Sequence, residues 1–339
     1  MRHVEVSEER AGQRLDNFLI RLLGDVPRSH IYRLVRRGEV RVNGGRAKPE
    51  QRLEWRDSIR VPPLRIDAAP DAGQSTSGQS GRLKRPAPQL LERIARAILH
   101  EDDRLIVIDK PAGLAVHGGS GLSFGLIEAL RALRPQEDLE LAHRLDRDTS
   151  GCLLVARRRS SLRTLHALLR EGRLEKGYLA LVQGHWSLGH RRIEAPLRTD
   201  LRVGGERTVK VHPTGKAAVS EFRPVQFFGT SASGGVRATL VEVALHTGRT
   251  HQIRVHAAHA GHPVAGDEKY GDDGFNRAMR ELGLTRMFLH AHRVGFEWPE
   301  GGEFSASAPL PPELRDAIER LEAVRARRAP ARGGSRRPK

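Results

Sequence analysis

His143-Arg144-Leu145-Asp146-Arg147-Asp148-Thr149-Ser150-Gly151 lies between two apolar runs, Leu139–Ala142 and Cys152–Ala156. Short apolar runs bounded by polar residues read as buried strands, and a polar loop between strands is where a rigid sheet commonly displays functional groups. Arg144 and Arg147 flank Asp146. An ionised carboxylate can serve as nucleophile or as base. The alternative is a turn in which Asp148, Thr149 and Ser150 bond to nearby backbone.

Further strand-like runs fall at Leu105–Asp109, Tyr178–Val182, Val236–Leu245 and Phe288–Phe296, and helical patterns near Leu126–Leu133, Ser161–Leu169 and His251–Ala260. A last helix would turn Leu314, Ile318 and Leu321 inward. Strands and helices mix without a regular βαβ rhythm, so residues 91–325 read as one mixed domain rich in sheet, not a doubly wound parallel fold. Cys152 is the single cysteine. Inside its apolar run it reads as a small buried hydrophobe, and no disulfide within the chain or Cys-rich zinc module is possible.

Residues 12–66 form a compact basic module. Leu15, Phe18, Leu19 and Leu22 trace one helix face. Ser29 is positioned to cap a second helix that carries Ile31, Leu34 and Val35 inward and ends at Gly38. Glu39–Val42 alternates like a strand and enters a turn at Asn43-Gly44-Gly45. Arg33, Arg36, Arg37, Arg41, Arg46 and Lys48 gather around that helix and turn. A basic helix edge beside a hairpin suits the phosphates and groove of folded RNA. The net charge of +17 points the same way, because clustered cations displace counterions from phosphates; a plain solvated surface is the alternative. Residues 67–90 include 71–81, which carry no apolar side chain larger than alanine and read as a flexible linker. Residues 326–339 read as a basic disordered tail. No stretch reaches the roughly 18–20 apolar residues of a membrane span, and the N-terminus has no apolar leader core, so a cytoplasmic protein is the default.

The N-terminal pattern of residues 14–44 resembles the S4-type RNA-binding domain. His143–Gly151 resembles the active-site signature of the RluA superfamily of pseudouridine synthases. Asp109–His117, Lys176–Ala180, Thr247–His256, Gly266–Gly271 and Leu289–Ala291 resemble its other motifs, in order. Within it, His117–Gly125 is most similar to the RluC branch, which acts on large-subunit ribosomal RNA. The resemblance implies an α+β fold with a largely antiparallel sheet in the catalytic domain and a small S4-like domain before it. It implies that uridine is detached from ribose at N1 and rejoined through C5, with no metal and no organic cofactor. Asp146 matches the catalytic aspartate and Arg144 the arginine that fills the place of the extruded base. Tyr178 matches the tyrosine packed on the base, also a candidate for proton transfer at C5. Arg254 matches the arginine paired with the catalytic carboxylate, and Ile253 an apolar wall of the base pocket. The implied partner is large-subunit ribosomal RNA or its assembly intermediate, met by a monomer. Lys110 either holds local structure or contacts RNA.

Four other readings compete. Transfer RNA or small-subunit RNA could be the substrate of the same chemistry. The chain could be an inactive RNA-binding assembly factor, against which Asp146, Tyr178 and Arg254 all argue by being present. His246, His251, His256, His259 and His262 invite a zinc reading, but they lack the H-E-x-x-H spacing and any matching carboxylate pattern. Gly113, Gly118, Gly119 and Gly121 lack the P-loop pattern.

Overall fold

The computed structural model describes the chain except residues 24, 25, 27, 64–85, 119–123, 202–206, 230–235 and 329–339. Two compact units divide at Arg85 and Pro86. The first contains β1 (Arg2–Glu5), α1 (Leu15–Leu22), α2 (Arg28–Arg37), β2 (Arg41–Val42), β3 (Gly45–Arg46) and β4 (Ser58–Val61). Its strands form an antiparallel sheet in the order β1-β4-β2-β3. Leu15, Phe18 and Leu19 of α1 and Ile31, Leu34 and Val35 of α2 are buried in one cluster. That leaves Arg33, Arg36, Arg37 and Lys48 exposed and Arg41 half-buried. Asn43 and Gly44 both have positive φ, 50° and 78°, the geometry a tight two-residue hairpin needs.

Three boundaries in this region differ from the sequence reading. The sheet of the first unit takes in Arg2–Glu5, ahead of the residue 12 read as its start, because Arg2 pairs with Val61 and Glu5 with Ser58; a four-residue strand is unreadable without its distant partner. α2 begins at Arg28, so Ser29 lies inside the helix and is not its cap. The β2 strand is only Arg41–Val42, because Glu39 and Val40 are still bonded back to Leu34 of α2. The segment 71–81 lies outside the described residues.

The second unit opens with α3 (Pro88–Arg96), whose start falls within the expected linker 67–90; Pro88 occupies the first turn, where its missing N–H costs nothing. Then follow β5 (Ile98–Glu101), β6 (Leu105–Lys110), α4 (Leu126–Leu133), β7 (Glu140–Leu141), β8 (Ser150–Ala156), α5 (Arg159–Glu171) and β9 (Glu175–Gln183). The chain continues through β10 (Arg191–Glu194), β11 (Leu197–Leu201), β12 (Arg207–Val211), β13 (Val219–Phe228), β14 (Ala238–Leu245), α6 (Gln252–His259) and α7 (Asp273–Glu281). It ends with β15 (Leu289–Glu297), β16 (Glu303–Ser307) and α8 (Pro312–Arg328). Leu314 and Leu321 of α8 are fully buried. The helix runs into the stretch read as a disordered tail from 326, and residues 329–339 are outside the described part.

The main sheet runs β10-β13-β14-β9-β15-β8-β6-β5, with β16 on β15 and β7 on β8. This is the mixed α+β architecture with mostly antiparallel pairing. Every residue of β8 is buried, since Leu153 and Val155 enter one core cluster while Cys152, Leu154 and Ala156 enter another. A strand covered on both faces shows a continuous apolar run instead of alternation. Burial pushes the Cys152 thiol up to about 12.

Among the described residues the one parallel pairing of the main sheet is β8 with β15, through Ser150–His290 and Gly151–Ala291. The loop 143–149 therefore empties into the seam where strand direction changes. Gly151 adopts φ 108°, and a Cβ there would stand 2.2 Å from the Ala291 carbonyl oxygen. A side chain is strained by the backbone and blocked by β15 at once. Gly151→Ala is expected to destabilise the chain by on the order of 3 kcal/mol or more, lowering the melting temperature by at least about 6 °C. A thermal melt indistinguishable from wild type would show that the seam yields.

Candidate active site

The loop is held from beneath by Lys110. This side chain is fully buried, and its Nζ donates to the carbonyls of Pro111 (2.9 Å), Leu114 (2.8 Å) and Arg147 (2.9 Å). Burial pushes its ammonium down to about 7, opposed by the nearby Asp148 and Asp146. Of the two sequence readings of Lys110, the geometry is that of a local brace. The Gly113 N–H also donates to Arg147 O, and the Thr149 N–H to Asp146 O.

Behind the loop, Arg286 Nη2 donates to Ser150 Oγ at 3.1 Å. The hydroxyl proton is thus directed to His290 Nδ1 at 2.9 Å, and His290 Nε2–H to Ala308 O at 3.2 Å. Both ring nitrogens are satisfied in the neutral ring. Burial holds His290 down at about 4 from an ordinary 6.5. The unfolded chain takes up this proton first as pH falls, so the contribution is whole above about 6.5 and is lost between 6.5 and 4. The loss is on the order of 3 kcal/mol. Melting temperatures measured from pH 7 to pH 4 are expected to fall less steeply for His290→Gln than for wild type; parallel curves would remove His290 as a source.

In front of the loop lies a pocket of about 690 Å³. Arg144, Asp146, Tyr178, Ile253 and Arg254 all line it, so these five sequence candidates come together. Arg33, Arg36, Arg37, Arg41 and Lys48 belong to the first unit and are not among its lining. Asp146 is the one carboxylate on the wall; Arg144, Arg170, Lys176 and Arg249 supply cations there. None of these four has a carboxylate within ion-pair distance among the described residues. Tyr178 is 6% exposed, and burial, aided by Asp146, pushes its phenol above the ordinary value.

Arg254 is shared between Asp146 and a second carboxylate. Its Nη1 is 3.5 Å from Asp146 Oδ2, but its strong bonds go to Asp267, with Nε to Oδ2 and Nη2 to Oδ1 both at 2.7 Å. Asp267 is buried and also accepts the backbone N–H groups of Lys269 and Tyr270. Arg254 lies over the Tyr270 ring at 5.0 Å. A bidentate carboxylate fixes the guanidinium plane, which leaves the remaining nitrogen aimed at Asp146. Asp267 was visible in the sequence within Gly266–Gly271, yet nothing in that motif says which cation it holds.

The crowded histidines separate. His256 bonds Ser220 Oγ and Ala195 O, His262 bonds Gln183 O, His246 faces Glu221, and His251 meets Tyr270. The segment His117–Gly125 lies partly outside the described residues.

A family of RNA pseudouridylate synthases matches residues 104–259, and the S4 domain family matches residues 13–58. The ribosomal large subunit pseudouridine synthase C of Pasteurella multocida (strain Pm70) is 49% identical over 318 residues, covering 93% of this chain and 92% of its own length. The chain belongs to the RNA pseudouridylate synthase family. Its counterpart in Escherichia coli (strain K12), of the same name, is 47% identical over 95% of this chain and 97% of its own. Among solved structures, human RNA pseudouridylate synthase domain containing 4 superposes with a TM-score of 0.55 at 26% identity, covering 69% of this chain and 96% of its own. As an RNA pseudouridine synthase the chain is an isomerase with an S4 RNA-binding domain.

Proposed function

We propose that this synthase isomerises uridines of large-subunit ribosomal RNA, with Asp146 as the reacting carboxylate. The observation that carries the chemistry is a pocket whose single carboxylate shares its wall with four cations that have no carboxylate partner among the described residues. Such a pocket accepts a phosphate-flanked nucleotide and offers one anionic oxygen to its sugar. The N1–C1′ bond breaks, the base turns, and C5 bonds C1′; the C5 proton leaves and N1 gains one, so composition is unchanged. Addition of the carboxylate to the sugar, and removal of a sugar proton to give a glycal, both use this oxygen.

A stacked base must first be extruded. Arg144, exposed at the rim, is suited to fill its place, and Ile253 and Tyr178 to sandwich it. With its phenol pushed up by burial, Tyr178 serves as a packing surface and proton donor more readily than as a phenolate base. Arg254 orients Asp146. The basic face of the first unit, with Arg33, Arg36, Arg37, Arg41 and Lys48, supplies phosphate contacts that add affinity. The ribosomal target is supported by the names of relatives nearly half identical over nearly the whole chain. A monomer working in the cytoplasm, on free RNA or an assembly intermediate, accompanies that reading. Among the described residues no helix is long and apolar enough to cross a membrane.

Mapping pseudouridines in all stable RNAs of a deletion strain, complemented with wild type or Asp146→Asn, tests the target. Loss confined to large-subunit RNA and restored only by wild type is expected. Loss confined to transfer RNA would overturn the target while leaving the chemistry.

A further inference from the structure

His251 faces Asp146 across the pocket, and the chemistry above does not use it. It precedes α6 with φ 54° and ψ 21°, a left-handed backbone that asparagine or glycine adopts more readily than histidine. Its ring is tied down behind. Nδ1 lies 2.8 Å from Tyr270 Oη, and that oxygen already accepts the Val209 N–H at 2.9 Å. The phenol proton is free to point at Nδ1, as it does when the ring's hydrogen sits on Nε2. A ring nitrogen that accepts carries no hydrogen, so the neutral ring keeps its hydrogen on Nε2. Nε2 faces Asp146 Oδ2 at 3.9 Å. Arg254 Nη1 approaches that same oxygen at 3.5 Å. No hydrogen bond reaches Asp146 Oδ1 among the described residues. The two oxygens of the carboxylate thus stand in different surroundings: Oδ2 has two donors facing it, and Oδ1 accepts no hydrogen bond among the described residues.

We propose that His251 is a positioning residue, locked by Tyr270 as the Nε2–H tautomer, which with Arg254 holds Asp146 through Oδ2 and leaves Oδ1 to react with the sugar. Both donor distances are longer than a hydrogen bond, and catalytic contacts of this kind tighten when substrate fills the site. Burial lowers the ring's proton affinity, which Asp146 opposes; a neutral ring donates through Nε2 without needing a charge. A left-handed backbone at a residue whose ring lies 3.9 Å from Asp146 fits this role. The inference rests on Asp146 being the reacting carboxylate.

The full-length protein labelled with ¹⁵N-histidine provides a readout independent of activity. The His251 signals, identified by their absence in His251→Asn, are expected to show a bare Nδ1 and a protonated Nε2; Tyr270→Phe is expected to abolish that pattern. A protonated Nδ1 in the wild type overturns the proposal. Single-turnover kinetics on ribosomal RNA supply the second arm. His251→Asn tolerates the left-handed backbone and can still meet Tyr270, but it cannot reach Asp146. It is expected to slow the chemical step at least about tenfold, about 1.4 kcal/mol in the barrier, with RNA affinity within about twofold and an unchanged melting temperature. His251→Gln, whose longer amide reaches toward the Nε2 position, is expected to recover part of the rate. A wild-type rate in His251→Asn, or equal loss in Asn and Gln variants, overturns the positioning role. If Asp146→Asn keeps the wild-type rate, the reading of Asp146 falls and this inference with it. If Asp146→Asn is inactive while His251→Asn is normal, this inference alone falls.

Discussion

Replacing Asp146 with asparagine is expected to lower the rate of isomerisation by at least about a thousandfold while leaving RNA affinity within about twofold. The amide keeps the shape of the side chain but offers neither a nucleophilic oxygen nor a base. The surroundings explain why the rest of the protein tolerates the change. The turn around Asp146 is built on bonds to backbone carbonyls, from the Thr149 N–H to Asp146 O and from Lys110 Nζ to Arg147 O. Arg254, which loses the charge facing it at 3.5 Å, keeps both bonds to Asp267. No buried charge is stranded, so the melting temperature is expected to stay within about 2 °C of wild type. Tritium release from C5-labelled uridine in ribosomal RNA measures the chemistry, and filter binding the affinity. Near-normal tritium release would remove Asp146 from its central role.

How much of this was legible beforehand depended on whether the information was local. The leucine spacing of Leu126–Leu133 places α4 at its observed bounds, and the apolar runs place β6 and β8, as the more mixed run Phe288–Phe296 places β15, within a residue or two at each end. The short strands β10, β11 and β12, such as Arg191-Arg192-Ile193-Glu194, carry no apolar run and form only by pairing with neighbours, so no periodicity announces them. The parallel seam between β8 and β15 joins residues far apart in sequence; Gly151 marks it, but a glycine after Ser150 looks in the sequence like the end of a turn. In the pocket, the polar loop pointed to Asp146 from its own residues, whereas Tyr178, Ile253 and Arg254 were reachable only through the resemblance. Three supporting roles were hidden. Lys110 could have been a brace or an RNA contact until its three carbonyl partners were located. His251 drew notice as a zinc question because spacing alone cannot reveal that its ring is bound to Tyr270. Asp267 lay inside a recognised motif with no stated partner, since only the fold brings it against Arg254.

Arg254→Met separates the two jobs that this partnership assigns to one guanidinium. Asp267 is 1% exposed and, among the described residues, would keep only the backbone donors of Lys269 and Tyr270 to its carboxylate. Leaving one member of a buried pair unpaired costs about 3–5 kcal/mol, a fall of roughly 6–20 °C in melting temperature for a unit of this size. The pH dependence carries the same signature. Burial works to raise the Asp267 carboxyl, but its bonds from Arg254 prevail and hold it below the ordinary value. That stability is present above about pH 4 and is lost as pH falls further, so the gap between wild type and Arg254→Met is expected to narrow in acid. Removing both partners, in Arg254→Met with Asp267→Leu, takes away the stranded charge and is expected to recover most of the stability. Activity is expected to follow a different course. The double variant still lacks the cation facing Asp146 Oδ2, so its single-turnover rate remains as low as that of Arg254→Met even though it melts like wild type. Recovery of the rate along with the stability would reduce Arg254 to a structural partner of Asp267. A collapse of RNA affinity with an unchanged chemical step would make it a phosphate contact instead.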